Sequence, residues 1–132
     1  MPMNVFDIAG RAMSAQLVRL NTTASNLANA GSIAGSEKDA FRALKPIFRA
    51  IGEEAGMATV QVDRVVASAT QPTRRYEPNH PLADADGNVW EAGVDSNAEM
   101  VEMIEAARQY QNNVQVLETA KSLILDTIRI GR

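Results

Sequence analysis

Apolar residues recur every seven positions at both ends of this chain, and the middle does not continue the pattern. Near the N-terminus, Phe6, Met13, Leu20 and Leu27 hold one heptad position, and Gly10, Leu17 and Ala24 hold the other. Near the C-terminus, Met100, Met103, Ala107, Tyr110, Val114, Leu117, Ile124 and Ile128 follow the same a/d spacing. Such spacing sustained over three or more heptads marks a helix that packs lengthwise on another helix. The pattern predicts helices over about Asn4–Asn29 and Ser96–Ile130, roughly 40 and 50 Å long at 1.5 Å per residue. Lys121 stands at one seam position, where a charge costs stability and can fix register.

The two helices differ in how well they stand alone. Asn21, Thr22, Thr23, Ser25, Asn26 and Asn29 are weak helix formers, so the first helix is expected to wait for a partner. The second runs to Ile130 without Gly or Pro. Ser96 and Glu99 read as its capping box. Val116, Leu123 and Ile130 add an apolar stripe on one flank of its seam, and Ile104 and Leu125 lie on the other. A helix with one neighbour has no use for both flanks. The pattern alone leaves two readings open. One is an intramolecular helical hairpin or dimeric coiled coil, and the other is a larger assembly in which this helix meets several neighbours.

Between the helices lie about 65 residues rich in turn signals. Gly31 to Ser36 reads as a loop. Pro46 argues against an uninterrupted helix over Phe41–Ile51, and extended backbone is expected over Leu44–Phe48. Val60, Val62 and Val66 share one parity, which predicts a strand over Ala58–Val66. Short strands over Thr73–Tyr76 and Asn88–Glu91 are expected to pair with it. Pro78, Asn79, His80 and Pro81 form a rigid bend between them. The expected fold is therefore mainly α with a small β insert. Residues 1–30 and 96–132 pair as a coiled coil in one inner assembly domain, and 31–95 is a turn-rich insert of roughly three strands.

No motif for chemistry survives its simpler explanation. His80 is the only histidine and there is no cysteine, which excludes a typical zinc site and a disulfide framework. It reads as a turn residue whose ring bonds nearby backbone. Asp84, Asp86, Gly87 and Asn88 lack the ligand spacing of a calcium loop, and Asp86-Gly87 reads as a turn. Glu99, Glu102 and Glu105 read as a solvated helix stripe. Arg74-Arg75 is too short a basic run for nucleic acid, and the net charge is −3. Aromatics make up only 5% of the chain, so its core must come from Val, Ile, Leu, Met and Ala. No apolar run reaches the length of a membrane span, and Met1 to Gly10 does not read as a cleavable signal peptide. No enzyme activity, cofactor, metal, nucleic acid, small-molecule substrate or direct membrane insertion is expected.

The run Asn21-Thr22-Thr23-Ala24-Ser25-Asn26-Leu27-Ala28-Asn29-Ala30, with Val5 to Gly10 and Met13 to Gln16 before it, resembles the N-terminal signature of the flagellar rod, hook and axial protein family. Tyr76 to Pro81, then Ala83-Asp84 and Gly87, is similar to the signature of its proximal-rod branch. Glu99-Met100-Val101, Ala107 to Val114 and Thr119 to Ser122 extend the likeness. The resemblance implies a structural subunit of a torque-transmitting helical tube, with the terminal helices inside and the insert outside. It implies copies of the chain, other flagellar rod proteins and the flagellar type III export apparatus as partners. It also implies a place in the periplasmic rod, reached by an unfolded chain without signal cleavage. The expected assembly seam is Phe6, Met13, Leu17, Leu20 and Leu27 with Met100, Met103, Val114, Leu117, Leu123, Ile124 and Ile128. Pro78 to Pro81 is the expected signature bend. The competing reading is a coiled-coil adaptor or chaperone-like binding module.

Overall fold

The computed structural model describes residues 4–52 and 58–131. Helix α1 spans Val5–Ala28. The Asn4 side chain accepts from the Asp7 N–H at 3.0 Å, and the Asp7 carboxylate accepts from the Asn4 N–H at 3.3 Å. This is a reciprocal cap that the sequence reading missed. At the weakly helical end, polar side chains turn back onto the helix's own carbonyls. The Thr22 hydroxyl donates to the Val18 carbonyl at 2.7 Å, and Asn29 Nδ2 donates to the Ser25 carbonyl at 2.8 Å.

Five strands follow: β1 (Ile33–Ala34), β2 (Leu44–Gly52), β3 (Ala58–Ala67), β4 (Thr73–Tyr76) and β5 (Asn88–Glu91). Helix α2 then runs over Ser96–Ile130. The strands expected at Ala58–Val66, Thr73–Tyr76 and Asn88–Glu91 are present, but the first does not share a sheet with the other two. β2 and β3 form a long antiparallel hairpin by themselves, while β4 pairs with β5, and β5 with β1. Pro46 is tolerated because β2 has a neighbour on one side only. A bulge at Asp63 shifts the register, from Ile47 opposite Arg64 to Phe48 opposite Val62.

The expected fold class needs correction. Among the described residues about half are helical and a quarter are in strands, so the fold is α+β, not mainly α. The middle carries two sheets in place of one small three-stranded insert. Nor do the heptad positions close into a complete coiled-coil seam. α1 packs antiparallel to α2, because moving from Arg19 to Asn26 along α1 moves back from Glu102 to Glu99 on α2. Polar groups make those ties, while Phe6, Leu17 and Met100 stay 39%, 45% and 56% exposed.

Capping of α2 also differs from expectation. Asp95 is the cap, its Oδ1 accepting from the Ala98 N–H at 3.2 Å. Ser96 is already helical. Glu99 is freed from capping and lies buried.

The core is built of small residues. Ala9, Ala15, Ala40, Ala43, Ala92 and Ala106 are buried, and Val89 is the only larger apolar residue among the described residues to join them. No Leu, Ile or Met among the described residues is buried. Of the residue types expected in the core, Ala and one Val are buried, while Leu, Ile and Met reach at most half-burial. Small side chains let backbones approach closely, and this is clearest where the hairpin root meets the segment after β5. There the Gly93 N–H donates to the Phe41 carbonyl at 2.7 Å, the Ala43 N–H to the Gly93 carbonyl at 3.1 Å, and the Ser68 N–H to the Ala43 carbonyl at 2.7 Å.

Candidate assembly surface

The residues expected to form the seam split into two groups. Met13, Leu20, Leu27, Met103, Val114 and Leu117 are half-buried. Phe6, Leu17, Met100, Leu123, Ile124 and Ile128 are exposed. The division follows the geometry of the helix pair. α1 has 24 residues and α2 has 35, so an antiparallel partner cannot cover α2 to its end. Val5, at the start of α1, borders a shallow depression with Asn112, Val116, Thr119, Ala120 and Leu123 of α2. Beyond that point every residue from Lys121 to Ile130 is exposed.

This overhang is about 15 Å of helix. Its surface is apolar on several sides, since Leu123, Ile124, Leu125, Ile128 and Ile130 do not lie on one stripe. An isolated exposed leucine needs no explanation, but a contiguous cluster marks an interaction site. Val101 and Ile104 extend the exposed apolar surface along α2, and Ile47, Phe48 and Val65 expose more on the hairpin. A groove of about 820 Å³ separates α1 from β3, bordered by Phe6, Gly10, Arg11, Val18 and Val62.

Two residues that matter to this arrangement were not singled out by periodicity. Asn26 is fully buried, and Glu99 is 6% exposed. The reading of Glu99 as part of a solvated stripe is therefore overturned. Glu102 is half exposed but engaged, accepting from Arg19 Nη2 at 2.7 Å. Glu105 accepts from Gln109 Nε2 at 3.0 Å. The one available signal was the run of poor helix formers around Asn26, side chains that a helix tolerates best when they have partners.

The signature bend is turn chemistry. His80 Nδ1 accepts from the Leu82 N–H at 3.0 Å, and the His80 N–H donates to the Glu77 carbonyl at 3.0 Å. Pro78 lies against Gly87. Asp84 Oδ1 accepts from the backbone N–H groups of Asp86 and Asn88, at 2.9 and 2.8 Å. That carboxylate holds the turn. Arg75 is occupied by Glu77 at 2.9 Å and Glu91 at 3.3 Å, so Arg74-Arg75 offers no free basic patch. No helix among the described residues is long and apolar enough to cross a membrane.

Comparison with known proteins matches both terminal helices to described families. A family model described as "Flagella basal body rod protein" matches residues 6–31, nearly the whole of α1. Another, "Flagellar basal body rod FlgEFG protein C-terminal", matches residues 85–130, which hold β5 and α2. The chain is 45% identical to the flagellar basal-body rod protein FlgC of Salmonella typhimurium, with 98% of each chain covered. It is 46% identical to the FlgC protein of an Escherichia coli O6:H1 strain, again over 98% of each. A more distant relative, FlgC of Buchnera aphidicola from Schizaphis graminum, is 38% identical over 98% of this chain and 97% of its own. At this likeness over nearly the full length, the chain belongs to the family of flagellar basal-body rod proteins.

Proposed function

We propose that this chain is a structural subunit of the flagellar basal-body rod that enters the growing tube by covering its apolar overhang with helices of neighbouring chains. Residues 1–30 and 96–132 form the inner assembly unit, and residues 31–95 lie outside it. The neighbours are copies of this chain and other rod proteins. The observation that carries the reading is the exposed end of α2, where Leu123, Ile124, Leu125, Ile128 and Ile130 are 44–85% exposed.

Burying each of these side chains contributes roughly 1.5–3 kcal/mol. That gain is offset by the translational and ordering costs of association. A contact between one chain's α2 end and a different surface of the next chain is heterologous, and repeated contacts of that kind build an open helical array rather than a closed dimer. This favours a tube wall over the small oligomer of a coiled-coil adaptor. In the tube the subunit carries torque through the inner helices. The chain reaches the periplasmic space through the flagellar type III export apparatus, without a cleaved signal.

The test is to place a charge in the overhang. Ile124→Asp and Ile128→Asp alter residues that touch little within the chain, so the folded content of the free protein is expected to stay unchanged. Incorporation into purified basal bodies, measured by immunoblot, is expected to fall by at least about tenfold, given the cost of burying an unpaired carboxylate. Normal incorporation of the double variant would overturn the reading.

A further inference from the structure

We propose that Asn26 and Glu99 are positioning residues that make the placement of the β2–β3 hairpin conditional on the pairing of α1 with α2. Asn26 sits near the end of α1 with no exposed surface. Its Nδ2 donates to the Leu44 carbonyl at 2.9 Å, and its Oδ1 accepts from the Leu44 N–H at 2.8 Å. The side-chain amide thus takes the place that a neighbouring strand's peptide would take, at the first residue of β2. This two-point bond fixes where the hairpin leaves the helix.

The same Nδ2 also donates to Glu99 Oε2, at 3.1 Å. A carboxylate accepts and cannot donate. Glu99 therefore takes the second Nδ2 proton and reinforces the amide orientation that the Leu44 backbone requires, with nitrogen toward α2. That orientation leaves Oδ1 facing the Leu44 N–H. The opposite orientation would set nitrogen against the Leu44 N–H and oxygen against the Leu44 carbonyl, and without Glu99 the second Nδ2 proton would be buried with no acceptor. α2 thus reaches the hairpin without touching it in force: Glu99 acts on Asn26, and Asn26 acts on Leu44. The backbone bonds at Ala43 and Ser68 carry the same restraint to both legs of the hairpin.

Amide hydrogen exchange on the full chain, free and within purified basal bodies, tests this independently of whether the overhang drives rod entry. In every sample the amides of β2–β3 and those of α1 and α2 are expected to be protected together or not at all. Asn26→Ala and Glu99→Ala are each expected to speed exchange across the hairpin roughly tenfold, the scale of one lost buried partner. Amides of β4–β5 serve as the internal control and keep their rates. Glu99→Gln, whose amide oxygen still accepts from Asn26, is expected to retain hairpin protection. A hairpin that stays protected in Glu99→Ala overturns the proposal. So does a hairpin protected in a chain whose helices are not, or a Glu99→Ala variant that loosens β4–β5 equally.

Discussion

Arg19 and Glu102 join the two helices through two contacts to one carboxylate oxygen, Nε at 2.9 Å and Nη2 at 2.7 Å. The Arg19 side chain is 18% exposed and that of Glu102 is 47% exposed, so water screens the pair from one side. Arg19→Ala is expected to lower stability by about 0.5–1 kcal/mol, part of it from lost packing of the arginine stem. Glu102→Ala should cost no more. A double-mutant cycle read by urea unfolding should give a coupling under about 1 kcal/mol that shrinks with added salt. A salt-independent coupling would show that the contact is steric rather than ionic.

Gly87 is the described residue whose backbone requires glycine, with φ of 80°. A Cβ there would lie 2.8 Å from Tyr76 Cε2 and 3.2 Å from Pro78 Cβ. The Tyr76 ring is 69% exposed and can swing away, so the dihedral dominates the cost. Gly87→Ala is expected to destabilise the bend by about 1–3 kcal/mol, seen as a lower melting temperature. Gly87→Asn should lose less, because asparagine visits the left-handed region more readily. Equal losses for both would place the cost in the side-chain contact instead.

Gly93 poses a different restriction. Its φ is ordinary, but a Cβ would meet the Thr70 carbonyl oxygen at 2.6 Å and the backbone of Gln71 and Pro72 at 3.0 and 3.1 Å. Backbone cannot step aside as a side chain can. The residue is also held on both faces by its bonds to Phe41 and Ala43. Gly93→Ala is expected to cost about 1–3 kcal/mol through overpacking and to raise exchange at the Ala43 and Ser68 amides. An unaltered melting temperature would mean that the loop over 70–72 moves freely.

These positions show what the sequence made legible. Alternation of Val60, Val62 and Val66, and the turn chemistry of Asp84 to Gly87, act over a few residues. The strands and the bend could therefore be read in place. Heptads at Phe6–Leu27 and Met100–Ile128 revealed both helices, because periodicity depends only on the helix itself. Strand partnership escaped, since β2 meets β3 across a reversal, and a parity pattern does not say which other strand lies alongside. The buried role of Glu99 escaped for a related reason. Its i, i+3 spacing with Glu102 and Glu105 fits an exposed stripe, and only the arrival of Asn26 from α1, 73 residues away, changes its surroundings. Exposure of Leu123 to Ile130 was half visible: apolar residues on both flanks exceed what one partner helix covers, but the unequal lengths of the paired helices decide where cover ends.

Gly10 offers a way to separate stability from assembly. It lies inside α1, borders the groove beside β3, and a Cβ built on it meets nothing within 4 Å. Within the chain, Gly10→Ala removes only backbone freedom. It is expected to stabilise the helix by about 0.5–1 kcal/mol and to raise the melting temperature of the free protein. In the assembled rod a neighbour packed closely on this face would meet the added methyl group. The same variant is then expected to enter basal bodies less efficiently than the wild type, a gain in stability joined to a loss in assembly. Full incorporation of a more stable Gly10→Ala chain would show that this face of α1 remains open in the rod, and that docking is confined to the overhanging end of α2.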